Sequence, residues 1–183
     1  GGLTSTLPSA AGAATSALLG ATFGPRGPVV ATPYGTFTAA SVRGAALSVE
    51  VGVPHDRSVD AVDLMTSCPE INHYAGIIAC RFVQQSKALL AFTQFPTTCT
   101  IELPGVKNAN TQKFYDAAYA RLFASDIPVT AHWGQIYPKG DRILSAYGTN
   151  LHRWLAARRT LLSPDTQSVF SHAAVPKDVV AGV

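Results

Sequence analysis

Pro128-Val-Thr-Ala-His132-Trp133-Gly134-Gln135-Ile-Tyr137-Pro138 is the stretch whose reading decides the fold. A short apolar run, expected to be a strand from Ile127 to Trp133, ends in a knot of imidazole, indole, glycine and amide. A helical pattern precedes it and further helical patterns follow, so it closes an alternating series of elements. Polar and aromatic groups gathered at a strand end either hold a turn or face a ligand.

Working back from it, Asn110 to Ser125 is the clearest helix. Phe114, Ala118 and Leu122 form one apolar row, and Tyr115, Tyr119 and Leu122 another beside it. Before that helix, Ala88 to Phe95 and Thr97 to Leu103 read as neighbouring strands parted by Pro96, and Tyr74 to Val83 as a buried-type strand with Arg81 inside it. Further upstream, Ala46 to Val53 alternates and ends at Pro54. His55-Asp56-Arg57-Ser58 then opens a helix with Val59, Val62 and Met65 inward, Asp56 or Ser58 at its N-cap, and Ser67-Cys68-Pro69 as its stop.

Beyond the opening stretch, Lys139-Gly140-Asp141 starts a short helix ending near Gly148. Asn150 is expected to cap a second, with Leu151, Trp154 and Leu155 inward and Arg158-Arg159 at its negative end. Ser163-Pro164-Asp165 reads as a turn. Residues 1–35 read as a leading segment, with a helix from about Pro8 to Leu19 and a Gly/Pro-rich hinge from residue 24, and residues 36–183 as the main domain. The β-α-β-β-α-β run predicts an α+β fold of ferredoxin-like type, an antiparallel sheet with helices packed mainly on one face.

Composition narrows the function classes. With 47% hydrophobic and 14% charged residues in 183, the chain is globular and well buried. A net charge of +3, carried by scattered Lys and Arg, does not point to nucleic acid. No apolar run is long enough to span a membrane, and the Ala-rich start lacks the basic region of an export signal. Cys68, Cys80 and Cys99 match neither a CxxC pair nor a zinc knuckle; Cys80 and Cys99 are expected to be small buried hydrophobes. An odd count without a framework places the chain in a reducing compartment, the cytoplasm.

The candidate site residues each carry two readings. Arg81 is costly to bury unpaired, so it is either a clamp for a polar ligand or an edge-strand side chain reaching water. Glu50 and Glu102, isolated acids in strands, can pair with it across the sheet. His132 is a general base, a ligand contact or a hydrogen-bonded structural histidine. Trp133 is a packing residue or a stacking platform, Gly134 allows close approach, and Gln135 donates and accepts without acid–base chemistry. The other histidines show no metal spacing, and no nucleotide-binding or hydrolase motif occurs.

Several segments follow one another in a telling order: Val49-Glu50-Val-Gly-Val-Pro54 before a helix, Arg81-Phe-Val83, Thr100-Ile-Glu102-Leu-Pro-Gly105, Phe114-Tyr-Asp116, His132-Trp-Gly-Gln135, Trp154-Leu-Ala-Ala-Arg-Arg159, Ser163-Pro-Asp165 and Phe170. In that order they resemble the C-terminal substrate (cap) domain of vanillyl-alcohol-oxidase-type FAD-linked oxidases. The nearest branch is the sugar-1,4-lactone and alditol oxidases, with the flavin-type cholesterol oxidases as cousins. The resemblance implies an antiparallel sheet covering the isoalloxazine of an FAD bound by a separate domain or subunit.

It further implies that hydride leaves a substrate C–H carbon for flavin N5. Arg81, His132 and Gln135 would be catalytic, with Arg81 and Gln135 also at the cofactor, and Trp133, Gly134, Glu50 and Glu102 would bind a small-molecule substrate. Two positions depart from the pattern: Gln135 stands where a lysine is usual, and Ala79 where relatives often carry glutamate. A second expectation therefore stands beside the first, a cofactor-free descendant that binds or cyclises a small apolar molecule, or an interaction or toxin module.

Overall fold

The computed structural model describes residues 46–137 and 144–169, with Ala13 as an isolated helical residue. The expected N-terminal helix, the hinge, the boundary at residues 35 and 36 and the helix start at Lys139 lie outside the described residues.

The elements in chain order are β1 (Ala46–Leu47), β2 (Glu50–Pro54), a 3-10 turn (His55–Arg57), α1 (Ser58–Thr66), a second 3-10 turn (Pro69–His73), β3 (Ala79–Gln84), β4 (Thr97–Glu102), β5 (Gly105–Val106), α2 (Ala109–Ala124), β6 (Thr130–Ala131), α3 (Thr149–Leu161) and α4 (Pro164–Val169). Four strands form one sheet in the order β3-β4-β2-β6 with every neighbouring pair antiparallel; β1 and β5 form a small second pair. In sequence terms that order is second-third-first-fourth, the split β-α-β arrangement of the ferredoxin-like class. The chain has the α+β fold expected of it.

Period-two alternation explains which face is covered. Val51 and Val53 of β2 and Cys99 and Ile101 of β4 point to one side. There they join Ala61 and Met65 of α1 and Phe114, Tyr115, Ala118 and Leu122 of α2 in one buried core. The two rows expected on α2 are both buried. Its start is set by Asn108, whose Oδ1 accepts the Thr111 N–H at 2.8 Å. Tyr115 and Tyr74 donate their hydroxyls to loop carbonyls, Tyr115 to Leu47 and Leu103 and Tyr74 to Ile77 and Pro104, locking the β4–β5 corner onto α2. A second core joins Ala131 to Leu144, Tyr147, Leu151 and Leu155, so α3 packs beyond β6.

The opposite face of the sheet is polar: Glu50, Thr98, Thr100 and Thr130 stand on it, all buried. The segment after β3 crosses this face. A Cβ at Gly52 would collide with the Phe92 carbonyl and come within 2.6 Å of Thr130 Oγ1, so only glycine lets the crossing lie this close.

That crossing overturns one expectation. Ala88 to Phe95 is not a strand, because its carbonyls are taken by side chains and by local turn N–H groups instead of a ladder. Thr130 Oγ1 donates to Phe92, Trp133 Nε1 to Leu90 at 2.8 Å and Gln85 Nε2 to Gln94 at 2.6 Å. Other boundaries also shift. β3 begins only at Ala79, since the preceding chain is held by the isolated bridge Gly76↔Gly105. The closing strand shrinks to Thr130–Ala131 before the chain turns at Trp133.

Neither Asp56 nor Ser58 caps α1. Arg57 holds that position without a side-chain cap, because the 3-10 turn already supplies carbonyl partners. The inward row on α1 is Ala61 and Met65, while Val59 faces out. Gly148, at φ 48°, precedes α3 in place of Asn150, a conformation disfavoured for residues with a Cβ. Ser163-Pro164-Asp165 opens the helix α4, with Ser163 Oγ accepting the Thr166 N–H and Pro164 at the first helical position.

Candidate functional site

Arg81, Glu50, Glu102 and Gln135 meet at one end of the polar face. The ladder dictates most of this. Glu50 and Glu102 are direct cross-strand partners on β2 and β4, and Arg81 on β3 is opposite Thr100, one same-face step from Glu102. Arg81 donates one guanidinium nitrogen to Glu50 Oε1 at 2.9 Å and the other to Glu102 Oε2. The cross-sheet pairing that the sequence suggested is therefore present, and it involves both acids at once.

Gln135 closes the far side. Its Nε2 donates to Glu102 Oε1 at 3.2 Å and reaches Glu50 Oε2 at 3.4 Å. The turn after β6 delivers it there, because the His132 N–H bonds to the Glu50 carbonyl and the Ile136 N–H to the Ser48 carbonyl. Ser48 Oγ adds a hydrogen bond to Glu102 Oε1 at 3.2 Å.

The electrostatics follow from exposure. Glu50 is 6% exposed, and the Glu102 side chain keeps 18% and the Arg81 side chain 53%. The cluster opens to solvent past Arg81, with its acids beneath. Burial pushes the Glu102 carboxyl up, but the hydrogen bond and charge of Arg81, helped by Ser48 and Gln135, outweigh burial and leave it below the usual carboxylate range. The site thus holds two carboxylates bridged by one guanidinium and one amide. It can accept hydrogen bonds from a hydroxyl or amine, and the remaining Arg81 N–H groups can donate to a carbonyl or oxyanion.

Ala79 sits directly across the ladder from Glu102. The position where the resemblance leads one to expect a glutamate thus faces an acid on the neighbouring strand. Sequence spacing alone hides this, because only the register puts Glu102 beside position 79.

Three other expected site residues lie beside the cluster rather than in it. The His132 ring packs edge-on against Phe92 at 4.9 Å, and its Nδ1 accepts the Gly134 N–H at 3.1 Å. A neutral His132 therefore carries its proton on Nε2 and presents a donor, not a base. Trp133 stacks on Tyr147 at 5.7 Å and ties its indole N–H to the Leu90 carbonyl, which is a packing role. Gly134 is exposed in the turn.

Sequence reasoning missed Ser48, Thr100 and the crossing segment. Thr100 is buried with its Oγ1 unpartnered, and Gln135 Oε1 is likewise enclosed without a partner. The two were findable in part: a threonine two residues before a strand glutamate shares its face.

Cys80, expected to be buried, is exposed because β3 is the sheet edge, as the 61% exposure of Phe82 on the same strand also shows. Cys99 is buried as expected, Cys68 is buried too, and burial pushes the Cys99 thiol up to about 11. Among the described residues there is no group of His, Cys, Asp and Glu able to hold a metal, and no helix long and apolar enough to cross a membrane. No family model matches the chain, and no curated protein matches it either.

Proposed function

We propose that the chain is the substrate-binding (cap) half of an FAD-linked oxidoreductase acting on a small alcohol, lactone or sterol-like molecule, with the flavin held by another domain or subunit. The observation that carries this reading is the convergence of Arg81, Glu50, Glu102 and Gln135 on the helix-free face of an antiparallel sheet. These residues are far apart in sequence; the family resemblance assigned Arg81 and Gln135 to the pocket, and Glu50 and Glu102 were expected to pair with Arg81 across the sheet.

The residues present fit one part of FAD. Arg81, half exposed and with N–H groups left over from its two carboxylate partners, suits the polar edge of an isoalloxazine or of a substrate. A bound flavin supplies the hydride acceptor. Arg81 then orients and polarises a substrate oxygen with its free N–H groups, while Glu102, kept ionised by Arg81, accepts a hydrogen bond from a substrate hydroxyl. His132, through its Nε2–H, offers a donor at the border of the site.

The exposed β3 edge favours this reading over the cofactor-free descendant. A self-sufficient pocket calls for a closed apolar cavity at Arg81, whereas Arg81 and Val83, which share the polar face of β3, are both exposed, as expected of a surface meant to be covered. The test is the visible spectrum of the protein isolated with its native partners. A flavin band near about 450 nm in a complex containing this chain is expected; a colourless preparation with no flavin-bearing partner overturns the proposal.

A further inference from the structure

We propose that the Glu50–Arg81–Glu102–Gln135 cluster takes a ligand bearing a protonated amine, and that Gln135 is the residue that sets this charge preference. The inference rests on reading the cluster as the ligand site and narrows the small alcohol proposed above to one that also bears a protonated amine, an amino alcohol; amine-free lactones and sterols fall outside it.

The first support is a charge count. Two carboxylates stand directly opposite each other on β2 and β4, an arrangement that is destabilising for like charges. Arg81 bridges them from β3, and among the described residues no second cation pairs with either acid. The remaining side is closed by Gln135, whose amide is neutral. The cluster therefore carries one negative charge in surplus. An anionic ligand would double that surplus, a neutral hydroxyl would leave it unchanged, and an ammonium group would cancel it.

The second support is independent of the acids. Gln135 has spent its N–H donors on Glu50 and Glu102, and its Oε1 is enclosed without a partner. Thr100 is 1% exposed, stands on the same face directly opposite Arg81, and has no partner for its Oγ1. Buried polar atoms are nearly always satisfied, so the acceptor-only Gln135 Oε1 marks where a donor is missing, and the Thr100 hydroxyl on the same face of the sheet is able to accept from a donor too. An ammonium group has three N–H donors and no acceptor, which matches both the missing donor and the missing charge. The way in runs past Arg81, the most exposed member, to Glu102 beneath it.

The experiment uses the full chain without flavin and three probes of one shape: benzylamine, benzyl alcohol and benzoate at pH 7. Binding is followed by amide chemical shifts, including the side-chain amide of Gln135 and the backbone of Thr100. Benzylamine is expected to move these signals and to bind about fivefold or more tightly than benzyl alcohol, with benzoate weakest, since one added ion pair in a half-open site is worth about that factor.

Glu102→Gln and Gln135→Lys each remove the surplus charge and are expected to erase the amine preference. If one variant fails to fold, the other decides. Benzoate binding as well as benzylamine, equal binding of amine and alcohol, no response at Thr100 and Gln135, or an amine preference surviving in a folded variant each overturns the proposal. Because no flavin is present, failure here leaves the oxidoreductase reading standing, and absence of flavin in the native complex leaves this binding standing.

Discussion

Removing the guanidinium of Arg81 isolates the forces that hold the cluster together. In Arg81→Ala, Glu50 and Glu102 remain facing each other with only Ser48 and Gln135 as partners. Removing one partner of a buried pair costs about 3–5 kcal/mol, and an exposed pair is worth about 0–1 kcal/mol. Arg81 is half exposed over a buried Glu50, so the loss at pH 7 falls between these ranges, at about 2 kcal/mol. With a urea slope of about 1.5 kcal/mol per molar, the midpoint drops by roughly 1 M.

Acid narrows the difference between the two proteins. In the wild-type protein the Glu102 carboxyl lies below its ordinary value. Its contribution to stability is therefore present above the unfolded pKa, about 4.3, and is lost as the pH falls through the folded value. Without Arg81, burial and the facing Glu50 both push that carboxyl up, so protonation relieves the variant above the unfolded pKa, before the wild type loses its own contribution below it. The gap between the two urea midpoints should narrow steadily from pH 7 to about pH 4. Tryptophan fluorescence, from Trp133 and Trp154, reports the transition. A gap that stays constant across this range, or a midpoint at pH 7 unchanged by the substitution, refutes the account of the cluster.

Three further outcomes are expected. Gly52→Ala puts a methyl group against the Phe92 carbonyl and Thr130 Oγ1, and should cost about 2–3 kcal/mol or release the crossing segment, seen as faster amide exchange from residue 85 to residue 95. Asn108→Ala deletes the cap of α2 and should lower stability by about 1 kcal/mol in a urea titration, with Asn108→Asp close to neutral. A thiol reagent applied to the native protein should modify Cys80 alone, with Cys68 and Cys99 reacting only after denaturant is added.

The parts of this fold that were legible in the sequence are those where one local rule acts alone. The period of Phe114, Ala118 and Leu122, and the alternation of Val49, Val51 and Val53, are each imposed by burial on a single face, and both appear as expected. The Arg81–Glu50–Glu102 pairing was accessible because a guanidinium in a strand needs acids on neighbouring strands.

What escaped depended on neighbours distant in sequence. Ala88 to Phe95 has the composition of a strand, yet the donors of Thr130, Trp133 and Gln85 satisfy its carbonyls, and no local pattern announces them. Cys80 reads as buried until β3 is known to be an edge. The role of Gln135 as a bridge between two carboxylates, and the placement of Glu102 opposite Ala79, exist only in the register of β2, β3 and β4.

The most direct test of the central claim, that this cluster is the substrate site of a flavin oxidoreductase, is the rate of flavin bleaching on anaerobic addition of an oxidisable substrate to the native complex. The account predicts that the complex carrying Arg81→Ala keeps its flavin band but bleaches at least about a hundredfold more slowly, in keeping with the loss of a positioned charged donor at the reacting centre. Bleaching at the wild-type rate in a folded, flavin-bearing Arg81→Ala complex would contradict it.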